Sequence, residues 1–121
     1  MQRFIRFQTE LRSPLTGRPL GLFRAVDTFY QRYEVPEYAT ELLDDSLRWF
    51  NANLSVPRLG AHRGRPIFWF RTEAEDCLAQ IWNMVAVFNE EGLYVEHRTT
   101  LRPGHIVYRD EHQIAAIPGK R

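Results

Sequence analysis

The chain has 121 residues, 44% of them hydrophobic and 26% charged, with a formal net charge of +1. That length and apolar content suit one domain with one core, residues 1–121, and exclude an extended disordered chain. A net charge so near zero supplies no long-range field and speaks against a dedicated nucleic-acid binder.

Residues Arg3 to Leu11 alternate, with Ile5, Phe7 and Leu11 on one face and Arg6, Gln8 and Glu10 on the other. This period of two predicts a strand. Ser13-Pro14 and Thr16-Gly17 mark a turn. Leu22, Val26, Phe29, Tyr30 and Tyr33 recur at helical spacing, and Pro36 ends that helix. Glu37 to Asn53 predicts a second helix through Leu42, Leu43, Leu47 and Phe50, with Pro57 just beyond its end.

Ile67 to Arg71, IFWFR, is short and apolar on both faces, as a central strand must be. Thr72-Glu73-Ala74-Glu75 has the pattern of a capping box. A third helix is expected from there to about Glu91, burying Cys77, Leu78, Ile81, Trp82, Val85 and Phe88, with Gly92 as its stop. Leu93 to Thr100 alternates again. Pro103-Gly104 turns the chain, and His105 to Arg109 and Gln113 to Ile117 flank an Asp110-Glu111 turn. The predicted fold is α+β, in the order β-α-α-β-α-β-β-β. It has a mixed sheet of about five strands, a crossover from Ile67 to Thr100, a C-terminal meander and helices mainly on one face.

Trp69-Phe70-Arg71, Asn89-Glu90-Glu91-Gly92, the run Arg102 to Glu111 and Gln113 to Pro118 together resemble a family of short bacterial proteins without an assigned function. Leu47-Arg48-Trp49-Phe50-Asn51 is a further shared segment. The resemblance runs from about Gly21 to Pro118. It implies a bacterial stand-alone domain and carries no catalytic residue over.

Three constellations are candidates for function. The loop Arg58 to Pro66 holds Arg58, His62, Arg63 and Arg65 with no acid, and Gly60 and Gly64 allow close backbone approach. Such a loop suits an anion, although its glycine spacing is not that of a phosphate-binding fingerprint. The second is the sheet face that helices on one side leave bare. Tyr94, Glu96, Arg98 and Thr100 point there, joined by Tyr108 and Trp69 or Phe70 according to register. Tyr, Trp and Arg side by side suit a protein partner or a second copy, since these types are enriched at interfaces. The third is the set His62, His97, His105 and His112, whose spacings match no standard zinc pattern.

Of the 16 basic residues only Lys120 is a lysine. The arginines are scattered rather than clustered, so this bias reads as codon composition and not as selection for anion contacts. The single Cys77 excludes an intrachain disulfide and a multi-thiolate metal site, and its place on an apolar helical stripe reads as structural. No membrane span and no secretory signal are present in the sequence, and the expected address is the cytoplasm. No metal or other cofactor is implied. The leading reading is a protein-interaction or homo-oligomerising module, with a homodimer as its simplest form. The alternatives are a binder of an anionic ligand or nucleic acid through the 58–65 loop, and a small enzyme using His97, His105 or His112 as acid or base. The balance falls against an enzyme, because no nucleophile-base motif accompanies those histidines.

Overall fold

A computed structural model describes residues 2–57, 59 and 65–119. Its longest strand, β1 (Phe4–Arg12), organises the sheet. On one side β1 pairs with β4 (Val95–Thr100) over six consecutive residues, from Phe4 opposite Thr100 to Thr9 opposite Val95. On the other side its start pairs with β3 (Ile67–Arg71) and its end with the short β2 (Pro19–Gly21). Beyond β3 lie β6 (Gln113–Ile117) and then β5 (His105–Arg109). All pairings are antiparallel.

Two sequence expectations change here. The sheet is antiparallel throughout rather than mixed: β3 and β4 run parallel to each other, but β1 lies between them. The C-terminal meander is also replaced. β4 leaves for the far edge of the sheet, and only β5 and β6 form a hairpin. Local alternation reports that a segment is a strand but not which strand it joins.

Helices α1 (Leu22–Arg32), α2 (Glu37–Asn53) and α3 (Glu75–Glu90) lie on one side of the sheet. Their apolar stripes meet Ile5, Phe7 and Leu11 of β1 in one core that includes Phe29, Leu43, Ile81, Met84 and Phe88. Phe29 and Phe88 are fully buried and their rings lie 4.7 Å apart. Full burial of such a side chain stabilises by about 1.5–3 kcal/mol. Ser46 and Gln80 hydrogen-bond between α2 and α3 at 3.1 Å, which satisfies a buried hydroxyl.

The start of α3 departs from the capping box. Both the backbone N–H and the hydroxyl of Thr72 donate to the Arg3 carbonyl at 3.1 Å, prolonging the sheet. Ala74 becomes the N-cap, with no side-chain cap. The end of α3 follows the sequence. Gly92 has φ +80°, its N–H donates to the Asn89 carbonyl at 3.0 Å, and the Leu93 N–H donates to the Phe88 carbonyl at 2.9 Å. That pair of bonds is a Schellman motif.

The face away from the helices is strongly coiled. Thr100 and His105 are joined by Leu101–Gly104 alone, so their Cα atoms lie within about 18 Å at full extension. In a flat sheet four inter-strand steps, plus an offset of roughly five residues along the strands, separate these positions by about 25 Å. The sheet therefore curls, and the end of β4 approaches the start of β5. Inside the curl lies a second small core of Phe4, Ile114 and Ala116, with Trp69 and Ile106 packed against it. On β3, Phe70 is covered by Phe23 and Phe50 on the helix side and Trp69 within the curl, while Phe68, on the same face as Phe70, is 45% exposed.

Candidate interaction surface

The residues of the predicted open face divide. Trp69 on β3 and Arg98 on β4 share the concave face, because the registers Phe4 opposite Arg71 and Arg6 opposite Arg98 place them there. Tyr94 is exposed just before β4, beside a shallow cleft of about 190 Å³ lined by Gln8, Glu10, Arg12 and Glu96. Its backbone N–H donates to the Glu10 carboxylate at 3.2 Å. Tyr108 pairs with Ala115, on the other face, and its hydroxyl donates to the Asp110 carboxylate at 2.6 Å. It is a β5 residue tied to the turn by that bond and not part of that surface.

The Asp110 carboxylate holds the β5–β6 turn. It accepts the backbone N–H groups of His112 and Gln113 at 2.8 and 2.9 Å, as well as the Tyr108 hydroxyl. Burial pushes this carboxyl up, but those hydrogen bonds outweigh it and lower its pKa below the ordinary value. The same hydrogen bond pushes the Tyr108 phenol up. Arg71 is 8% exposed, and its Nε donates to the Asp110 carbonyl at 2.8 Å while Nη1 donates to the Gln2 side-chain oxygen at 2.5 Å. This guanidinium ties three segments together.

Of the arginine loop, Arg58, His62 and Arg63 lie outside the described residues. Arg65 is exposed two residues before β3. The remaining histidines are spread out. His97 is on β4, His105 opens β5 at the opposite edge, and His112 sits in the β5–β6 turn, 3.3 Å from Glu111. Among the described residues no three His, Cys, Asp or Glu side chains are grouped as a metal site. Cys77 is fully buried, and burial, helped by the negative charges of Asp76, Asp110 and Glu111, pushes its thiol up to about 11. At neutral pH it is a packed thiol rather than a nucleophile.

The surface with the clearest unmet capacity is the outer edge of β4. Among the described residues β4 pairs with β1 alone. Its ladder is regular over all six residues, with no bulge, and it contains neither proline nor lysine. Of the devices that normally blunt an edge strand, β4 carries only charged side chains, Glu96 and Arg98, and these ion-pair with each other. The opposite edge has another of these devices: β5 carries an irregularity between Ile106 and Tyr108.

Exposed apolar side chains flank β4. Trp82 of α3 is 44% exposed, Tyr94 65% and Leu101 44%. The Trp82 indole stands edge-on to Phe7 at 5.1 Å and to His97 at 5.5 Å, which fixes it beside the strand. The sequence placed Trp82 on the buried stripe. Counting 100° per residue puts it roughly 130° from the centre of the residues that α3 buries, on a sector shared with Ala79 and Ala86. Both alanines are exposed as well.

The electrostatics of β4 are unbalanced. Arg98 stands directly opposite Arg6, and the two cations share the neighbourhood of a single carboxylate, Glu96, which ion-pairs with Arg98. Like charges directly opposite across a ladder are destabilising. Burial lowers the Arg6 pKa, and Arg98 lowers it further. The Arg6 guanidinium is drawn instead over the Trp69 ring, 5.5 Å from its centroid.

No family model matches the chain, and no curated protein and no solved structure matches it. The resemblance to short bacterial proteins rests on its residues alone. No helix among the described residues is long and apolar enough to cross a membrane.

Proposed function

We propose that this protein is an interaction module that binds a protein partner by strand addition along the outer edge of β4. The observation that carries the reading is the regular, unbulged edge itself, six residues long, free of proline and flanked by the exposed Trp82 and Tyr94. Strand addition provides affinity through main-chain hydrogen bonds, and the flanking side chains select the partner. The aromatic flank adds contact area of the kind that dominates binding energetics.

The test compares the parent with Trp82→Lys/Thr99→Lys, which alters only exposed side chains. Circular dichroism establishes that both fold. Size by sedimentation and capture of partners from a lysate are then measured for each. The reading expects association that the parent shows and the variant loses. Association that survives in the variant unchanged sinks it.

A further inference from the structure

We infer that the partner on the β4 edge is a second copy of this chain, paired antiparallel about a dyad centred on His97. The inference rests on the reading of β4 as the binding edge and adds the occupant and the register. A two-fold axis that joins two copies of one edge antiparallel stands perpendicular to the sheet, so each face of one copy continues the same face of the other. Residues directly opposite must then share a face, and the pairing must centre on a residue.

The charges choose among the central positions. Centred on Glu96, the pairing sets Glu96 against Glu96 of the second copy. Centred on Arg98, it sets arginine against arginine. Centred on His97, it sets Glu96 against Arg98 twice, once on each side of the dyad. The same register gives Arg98, already facing Arg6 within its own chain, a second carboxylate from the other copy.

The rest of the surface agrees with a self-complementary contact. Trp82 lies against His97 and therefore close to the dyad. The exposed positions Ala79 and Ala86 lie on the same sector of α3. Two copies of α3 thus face each other across the axis through one tryptophan each and small residues that permit close approach.

The experiment is a charge-reversal cycle read by sedimentation equilibrium on the whole chain. Glu96→Arg and Arg98→Glu each turn two attractive pairs into repulsive ones, and each is expected to weaken dimerisation by roughly tenfold or more. Mixing the two single variants restores both attractions, so a heterodimer forms with about the parent's affinity. The double variant Glu96→Arg/Arg98→Glu also dimerises. If Glu96→Arg does not fold, Glu96→Gln replaces it and is expected to weaken the dimer by a smaller factor. A parent that stays monomeric yet captures a different protein through the edge overturns the self-pairing and leaves the edge reading standing. A dimer indifferent to all these charges overturns the self-pairing and its register. Self-association and capture that both ignore Trp82→Lys/Thr99→Lys overturn the edge reading as well.

Discussion

Replacing Gly104 by alanine tests the close packing of the chain before β5 against the end of β6. Gly104 ends the Leu101–Gly104 connection and sits at φ +113°. A Cβ there falls 2.2 Å from the Ile117 carbonyl oxygen, 2.9 Å from its carbon and 3.0 Å from the Pro118 Cα. All three are backbone atoms at the end of β6, so no side chain can swing aside. Two costs add: backbone strain of about 1–3 kcal/mol for a non-glycine residue at positive φ, and displacement of main chain of about 1–3 kcal/mol more by analogy with overpacked cores. Gly17 and Gly92 also have positive φ, but a Cβ at either meets nothing within 4 Å. Gly17→Ala and Gly92→Ala therefore report strain without the clash. Thermal unfolding followed by circular dichroism is expected to lower Tm by about 8–24 °C for Gly104→Ala and by about 4–12 °C for the two controls, at roughly 4 °C per kcal/mol for a domain of this size. Equal losses at all three positions refute the close approach of Gly104 to the end of β6.

Further outcomes follow from single contacts. Phe29→Ala removes a fully buried ring from the main core and is expected to cost about 3–5 kcal/mol in urea unfolding. Thr72→Ser keeps the hydroxyl of a capping box, whereas Glu75→Gln alters its reciprocal member. Since Ala74 is the cap and makes no side-chain cap bond, Glu75→Gln is expected to change stability by less than about 0.5 kcal/mol. The Asp110 carboxyl has its pKa lowered on folding, so its contribution is present above the ordinary carboxylate range and is lost as pH falls through the lowered value. Denaturant midpoints from pH 7 to pH 2 should fall more steeply for the parent than for Asp110→Asn. Cys77, raised to about 11, is expected to react with a thiol reagent at pH 8 only as fast as the protein opens, so the rate should rise with urea.

Much of the local structure was legible from residue spacing. The helix from Glu37 to Asn53 has the predicted limits, and the IFWFR strand is central as its two apolar faces required. What spacing did not determine was partnership. Nothing in Val95–Thr100 distinguishes a strand that pairs with its sequence neighbour from one that crosses to β1 at the far edge. The capping box failed for a related reason: Thr72 had two acceptable roles, and the sheet's need to continue to the Arg3 carbonyl prevailed. Trp82 was misplaced because a tryptophan near an apolar stripe reads as buried, although its helical angle sets it aside. Of the residues expected on the bare face of the sheet, Tyr108 lies on the opposite face and bonds to Asp110, and only the cross-strand register reveals that.

The central claim, an edge of β4 that pairs with itself about His97, is tested most directly by disulfide trapping. Opposed residues at the centre of an antiparallel pair have Cα atoms about 4.5–5.5 Å apart, within the span a disulfide bridges. Two copies of Thr100, three residues from the dyad on opposite sides, lie roughly 20 Å apart in the same arrangement. In a Cys77→Ala background, His97→Cys is expected to form a covalent dimer under mild oxidation at low protein concentration, while Thr100→Cys stays monomeric. Equal yields from the two variants, or none from His97→Cys, contradict the account.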